Sequence, residues 1–155
     1  MASLVPMPAA RTVQVRVRTE AEFTAHLARE KGVPAEELLP RAQAHADKLL
    51  ALDGNRFLDI VADGEVVGWI WIGVRNGPVP DSVFVFDLFV EEEHRGHGHG
   101  HAAMTALEPY ARDLGVRCIA LSVFAHNTGA IRLYERLGYD VILEDTGGQR
   151  MAKKL

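Results

Sequence analysis

The 155-residue chain contains a single cysteine, Cys118. One cysteine excludes an internal disulfide and a metal site built from cysteines alone. No apolar run approaches the roughly 20 residues of a membrane-spanning helix, and the most apolar stretch, Val66 to Val74, has the length of a buried strand. Met1 to Pro8 lacks the basic and apolar regions of a signal peptide. These absences lead us to expect a cytoplasmic protein.

Positive charge is also limited and scattered. The chain has 17 Lys and Arg against 21 Asp and Glu, which gives a formal net charge of -4. Because a phosphate backbone is bound by a cluster or stripe of positive charge, nucleic acid is not an expected partner. The hydrophobic content of 48% suits one sizeable core. We expect a flexible N-terminal tail over residues 1–10 and a single domain over residues 11–155.

The first third of the chain predicts a strand followed by two helices. Valines alternate with polar residues between Arg11 and Arg18, as in a half-buried strand. Thr19 to Glu22 has the spacing of a capping box, which begins a helix. Apolar residues from Leu38 to Leu50 recur at helical spacing and predict the second helix.

The remainder predicts a sheet with two further helices. Asp63-Gly64 is a strong hairpin signal, and Ser82 to Val90 is apolar on both faces apart from Asp87, as in a central strand. Strands are predicted over 56–62, 65–74, 82–90, 118–124, 139–144 and 149–153, and helices over 103–114 and 127–137. The pattern predicts an α+β fold, with a mixed, mostly antiparallel seven-stranded sheet flanked by four helices in three α/β/α layers.

A glycine-rich loop, Arg95-Gly96-His97-Gly98-His99-Gly100, joins the central strand to a helix. This position brings unpaired backbone amides and the positive end of the helix dipole to one point. Glycines let the backbone close on a phosphate, and Arg95 adds positive charge. A dinucleotide-binding domain is excluded, because the loop follows the fourth predicted strand and the next strand ends in Phe124 rather than in an acidic residue.

Two blocks resemble the GCN5-related N-acetyltransferase (GNAT) superfamily. Arg95, Gly98 and Gly100 resemble its Gln/Arg-x-x-Gly-x-Gly/Ala signature, and the segment from Asn127 to Tyr139 resembles its second block. The resemblance implies the GNAT-like fold and direct acetyl transfer from acetyl-CoA, the co-substrate, to an amine in a ternary complex. It also suggests a homodimer. A non-catalytic acyl-CoA-binding sensor is the alternative.

The same resemblance implies where acetyl-CoA binds. Pantetheine would lie against the fourth strand, and the pyrophosphate against the loop amides. Asn127 would either cap its helix or bind the cofactor. The implied cofactor-binding residues are Leu88, Phe89, Val90, Arg95, Gly96, His97, Gly98, His99, Gly100, His101 and Asn127.

Two residues are candidates for acid–base catalysis. The resemblance makes Tyr134 the acid that protonates the departing thiolate, although it also has the spacing of a core aromatic residue. Asp87 lies among apolar neighbours, where an unpaired carboxylate is costly. Asp87 is therefore either the base that deprotonates the ammonium, directly or through water, or the structural partner of an arginine such as Arg132.

Other candidate residues have simpler interpretations. Five histidines could bind zinc: His94, His97, His99, His101 and His126. Phosphate binding already accounts for those in the loop, so no metal is expected. Cys118 is expected in the core rather than as an acyl carrier. Trp69 and Trp71 share a strand face and are core, pocket wall or dimer surface. Glu36, Glu37 and Asp47 hint at a cationic small-amine or peptide acceptor.

Overall fold

The computed structural model describes residues 1–30 and 32–155. Within them, the strands are β1 Ser3–Pro6, β2 Asn55–Ala62, β3 Glu65–Val74, β4 Ser82–Val90, β5 Cys118–Phe124, β6 Asp140–Glu144 and β7 Gly148–Lys154. The helices are α1 Thr12–Arg29, α2 Ala35–Leu50, α3 His99–Asp113 and α4 Thr128–Arg136. Short 3-10 turns occupy Ala9–Arg11 and Glu92–His94.

The strands form one seven-stranded sheet in the order β1-β2-β3-β4-β5-β7-β6. Neighbouring strands are antiparallel except for β4 and β5, which pair in parallel. The predicted fold class is confirmed: a mixed, mostly antiparallel sheet with four helices. The Asp63-Gly64 hairpin is confirmed too, because both residues have positive φ (51° and 76°) between the paired strands β2 and β3.

The described chain divides into two compact units, one formed by residues 1–6 and 54–155 and the other by residues 7–53. The larger unit contains the sheet, α3 and α4. Its main apolar cluster joins Ile70, Leu121 and Met151 of the sheet to Met104 and Leu107 of α3. Each of these side chains is at most 1% exposed, so α3 covers one face of the sheet.

The smaller unit consists mainly of α1 and α2, which pack together. Arg16 of α1 forms a hydrogen-bonded ion pair with Asp47 of α2. The rings of Phe23 and His45 stack with centroids 3.8 Å apart. Asp47 is therefore engaged within its own unit. None of the helices in the described residues is long and apolar enough to cross a membrane.

The N-terminal region differs from its predictions: helix α1 begins at Thr12, so Thr19 to Glu22 lies inside this helix rather than at its start. The segment from Arg11 to Arg18 lies in a 3-10 turn and helix α1 instead of a strand, since Val15 is fully buried while Val13 and Val17 are 64% and 60% exposed. Ser3–Pro6 forms the edge strand β1 within the predicted flexible tail. An edge strand tolerates Pro6 because proline lacks only the N–H donor.

Candidate active site

The central feature of the site is a gap between β4 and β5. These strands pair only from Ser82 with Cys118 to Val85 with Leu121, although β4 continues to Val90 and β5 to Phe124. A bulge lies at the same level: Trp71 of β3 pairs with Asp87, but its neighbour Ile72 pairs with Val85. Because a bulge bends its strand, it accounts for the separation of β4 from β5.

Main-chain groups of β4 point into this gap. The N–H of Glu91 donates to the carbonyl oxygen of Val67 in the β3 direction, at 2.8 Å. Main-chain groups of alternate residues in a strand point to the same edge, so Phe89 also faces β3. Leu88 and Val90 face the gap and are the β4 residues whose amides a ligand there can reach. Of the predicted pantetheine-facing residues, Phe89 has its main chain turned away.

The glycine loop meets the end of the gap. Gly96 and Gly98 have φ of +79° and +78°, and Gly98 is the N-cap residue of α3. No side chain caps this helix end among the described residues, so the first amides of α3 are available to an anion. A Cβ added at Gly100 would lie 3.5 Å from Leu133 and 4.0 Å from Leu88, so the start of α3, β4 and α4 converge here.

Arg95 folds back onto the end of β4. Its Nε donates to the carbonyl oxygen of Val90 at 2.8 Å, and its guanidinium lies 5.4 Å from the ring centroid of Phe89. Arg95 thus fixes the strand end from which the loop departs, and it brings positive charge to the same place. The sequence predicted the charge but not this contact.

Histidines surround a pocket on the hairpin side of the loop. The pocket has a volume of about 480 Å³. Its lining residues are Met1, Ala62, Asp63, Glu93, His94, His97, Gly98, His99 and Ala102. The ring of His99 lies 6.2 Å from that of His94 and 6.1 Å from that of His97. No group of side chains suited to a metal ion is found in the described residues.

Tyr134 lies on α4, and Asn127 is the N-cap residue that precedes this helix. Tyr134 is 7% exposed and belongs to the apolar cluster that also includes Val123 of β5, with Leu88 of β4 packed against it. Those two residues come from the strands that form the gap. The side chain of Asn127 accepts a hydrogen bond from the N–H of Ala130 at 3.3 Å, so it caps α4.

Asp87 lies on the sheet face opposite α3, beside tryptophan. Trp69 Nε1 donates to Asp87 Oδ2 at 3.0 Å, and the rings of Trp69 and Phe89 lie 4.4 Å apart. Arg132, the arginine suggested as its partner, is an exposed residue of α4. The structure therefore gives the Asp87 carboxylate an indole partner in the sheet.

Comparison with known proteins identifies the family of the chain. Residues 21–139 match the model of the acetyltransferase (GNAT) family. The chain belongs to the GNAT family of acetyltransferases. The resemblance inferred from the glycine loop and the second block is confirmed.

Relatives by sequence carry acetyltransferase names. The uncharacterized N-acetyltransferase YycN of Bacillus subtilis (strain 168) is 38% identical over 82 residues, which are 51% of this chain and 53% of YycN. A mycothiol acetyltransferase of Kytococcus sedentarius is 30% identical over 141 residues, 89% of this chain and 45% of that protein. The chain thus spans about half the length of these curated relatives.

Solved GNAT structures have the same fold. The crystal structure of YycN superposes with a TM-score of 0.78 at 25% identity and covers 94% of this chain and 98% of that one. The PaiA N-acetyltransferase from Thermoplasma acidophilum, in complex with coenzyme A, gives a TM-score of 0.70 at 15% identity, covering 100% and 99%. These likenesses show that the sheet and its helices have the GNAT fold.

Trp69, which the sequence left as core, pocket wall or dimer surface, is 3% exposed and donates a hydrogen bond to Asp87, so it is a core residue beside that carboxylate. One residue near the gap was not singled out by the sequence. Arg150 of β7 lies opposite Ser122, beside the gap, and nothing in its local sequence marks it. Burial raises the pKa of the Cys118 thiol, with a further contribution from the charge of Asp81. A raised pKa disfavours the thiolate that an acyl-cysteine mechanism requires.

Proposed function

We propose that the protein is an N-acetyltransferase that moves the acetyl group of acetyl-CoA directly to an amine. The proposal rests mainly on the gap between β4 and β5, which ends at the uncapped start of α3. An extended, partly amidic chain suits the main-chain groups of Leu88 and Val90. A pyrophosphate suits the free amides of α3, because the positive end of the helix dipole lies there. The residues present therefore fit acetyl-CoA.

The proposed reaction forms an amide bond and breaks a thioester bond. The neutral amine nitrogen attacks the acetyl carbonyl carbon, the carbon–sulfur bond breaks, and coenzyme A leaves with its sulfur taking a proton. Asp87 accepts the proton that the acceptor ammonium loses before attack, directly or through water, and Tyr134 supplies the proton for the sulfur. The nitrogen loses its second proton as the amide forms, and that proton returns through water to the Tyr134 phenolate. Amides of the β4 edge donate to the carbonyl oxygen as negative charge develops on it.

Names of related proteins indicate the range of acceptors. One structural neighbour is a spermidine N-acetyltransferase from Vibrio cholerae in complex with CoA and spermine, and another is the ribosomal-protein-S18-alanine N-acetyltransferase of Escherichia coli. A small amine or a peptide amino group is thus the acceptor class we propose. The homodimer and the cytoplasmic location stay predictions.

Thermal unfolding with and without acetyl-CoA tests the cofactor site. A ligand that binds only the folded state raises the midpoint, and a hundredfold excess over Kd adds about 2.7 kcal/mol of stability. The informative variant is Gly98→Ala, in which a Cβ enters the loop. Its matched control is Gly64→Ala, because the two glycines have φ of +78° and +76° and neither added Cβ meets an atom within 4 Å.

We expect both substitutions to lower the midpoint without ligand, because alanine at positive φ costs roughly 1–2 kcal/mol. Only Gly98→Ala should reduce the rise produced by acetyl-CoA. No rise in the wild type at millimolar acetyl-CoA contradicts the proposal. A rise with no release of coenzyme A thiol, across a panel of amines, supports the sensor alternative instead.

A further inference from the structure

Arg150 on β7 is a half-buried arginine without a counter-charge. Its Nε is buried and has no hydrogen-bond partner, and its guanidinium makes no ion pair or ring contact with any described residue. A guanidinium stays charged at any pH that proteins tolerate. An N–H kept from water without a partner is costly, and of the guanidinium nitrogens only Nε is buried in this way, so the terminal nitrogens can meet a ligand from solvent. Such a residue is suited to binding an anionic group.

The strand register places Arg150 on the face opposite α3. Arg150 pairs with Ser122 of β5, whereas the next pair, Leu121 with Met151, points into the α3 core. Directly paired residues of antiparallel strands project to the same side, so Arg150 and Ser122 share a face. Ser122 is exposed. This part of the face is therefore open to solvent.

The same register places Arg150 where β4 and β5 separate. The last pair between those strands is Val85 with Leu121, and Ser122 is the next residue of β5. Arg150 lies directly across from Ser122 on the other side of β5. Arg150 is thus beside the inner end of the gap, away from the glycine loop that receives the pyrophosphate.

Asp87 projects from the same face on the other side of the gap. It pairs with Trp71, while Val85 pairs with the adjacent Ile72, which faces the α3 core. Asp87 is therefore on the face of Ser122 and Arg150. Three strands thus present a carboxylate, a hydroxyl and a guanidinium around one end of the gap. Paired strands such as β7 and β5 are about 4.8 Å apart, and a long arginine side chain can span part of the distance from β7 across β5 to the gap.

Resting on the proposed function, we propose that the acceptor amine carries a carboxylate, as an amino acid does, and that Arg150 binds this carboxylate. Arginine matches a carboxylate with two parallel N–H donors, a geometry that lysine lacks. With its carboxylate on Arg150, the acceptor directs its amine toward Asp87 and the gap. Arg150 is then the residue that selects amino acids over simple amines.

Acceptor kinetics with matched pairs of substrates test this assignment. The probes are L-amino acids and the corresponding L-amino acid amides, which differ only in the carboxylate, at saturating acetyl-CoA. We expect wild-type kcat/KM to favour the acids by roughly tenfold or more, the range for a hydrogen bond to a charged group. Arg150→Gln should raise KM for the acids, which removes this preference, and leave kcat/KM for the amides unchanged. Arg150→Lys should restore only part of it.

The control variant is Arg136→Gln, which removes an exposed arginine from the end of α4 and should keep the acid-to-amide ratio of the wild type. The rise in unfolding midpoint with acetyl-CoA, measured on each variant, shows that the fold and cofactor site are intact. The inference is overturned if the wild type transfers acetyl with an acid-to-amide ratio of kcat/KM near one, or if Arg150→Gln leaves this ratio unchanged. Either result leaves the proposed function standing. A wild type that neither binds acetyl-CoA nor transfers acetyl overturns both.

Discussion

At the residue scale, the proposed chemistry depends on one phenol hydroxyl. Tyr134 is 7% exposed on α4 and lies in the cluster that includes Val123, one of the residues beside the gap. A second buried tyrosine, Tyr139, is 4% exposed, and the two rings are 5.8 Å apart. Burial raises the pKa of Tyr139, followed by the charge of Glu108. The pair offers a direct comparison between a proposed acid and a structural tyrosine.

We expect Tyr134→Phe to lower kcat by roughly 10²- to 10⁴-fold, because it removes the proposed proton donor to the thiolate. The ring still fills its place in the core, so the midpoint rise with acetyl-CoA should be that of the wild type. Thiol release and thermal unfolding provide the two measurements.

Tyr139→Phe is the matched control for this prediction. The Tyr139 hydroxyl is buried and has no hydrogen-bond partner among the described residues, so its removal should leave kcat unchanged and stability equal or slightly higher. Equal losses of kcat in the two variants, or none in Tyr134→Phe, would assign Tyr134 to the core alone.

Local sequence predicted some site residues and missed others for a physical reason. Gly98 and Asn127 were identified because a positive φ before a helix and an N-cap are set by a few neighbouring residues. The Trp69–Asp87 hydrogen bond, the contact of Arg95 with Val90, and the position of Arg150 depend on strand register or on a loop folding back. None of these follows from local pattern.

At the scale of elements, the sequence of α1 contains both a two-residue and a four-residue apolar period. The alternating valines predicted a strand, yet Val15, Thr19, Phe23 and Leu27 recur every four residues along one face of a helix. Ion pairs one turn apart, Arg16–Glu20 at 3.5 Å and Arg18–Glu22 at 2.8 Å, support the helix. A four-residue period sustained over the whole segment outweighs a two-residue period confined to its first part.

Helix α4 depends on its cap, since it is only nine residues long and short helices are marginal alone. We expect Asn127→Ala to lower stability by about 1 kcal/mol, a fall in unfolding midpoint of about 2–4 °C. Asn127→Asp retains an oxygen acceptor for the Ala130 N–H and should recover most of this loss.

Acetyl-CoA distinguishes the two roles considered for Asn127. If capping is its main role, the rise in midpoint with acetyl-CoA is the same for both variants and the wild type. A smaller rise in both would show that the side-chain amide contacts the cofactor, and an unchanged midpoint in Asn127→Ala would refute the capping role.

At the scale of the whole molecule, function requires distant segments to meet. The gap is formed by β4 and β5, its loop end by α3, and its inner end by residues of β4, β5 and β7. The sequence predicted a mixed sheet but not which strands are parallel, and in the structure they are β4 and β5. Periodicity identified most of the elements, whereas their order in the sheet decides which side chains surround the gap.

The stability of the whole chain should also respond to pH through His45. Burial lowers the pKa of His45 from the ordinary value of 6.5, followed by the charges of Lys48 and His26. Below about 6.5 the unfolded chain takes up a proton at this position and the folded chain does not. The free energy of unfolding is therefore highest, as far as His45 is concerned, above this pH. It falls as the pH decreases toward the pKa of His45 in the folded state.

We expect the unfolding midpoint of the wild type to fall more than that of His45→Phe between pH 7.5 and pH 5.5. Phenylalanine can keep the stack on Phe23, whose ring is 3.8 Å from that of His45, but it cannot take up a proton. The wild type and His45→Phe share all other histidines, so the difference between their midpoints reports the contribution of His45 alone. A difference that stays constant over this range would show that His45 does not couple protonation to folding, because only a pKa that changes on unfolding makes stability depend on pH.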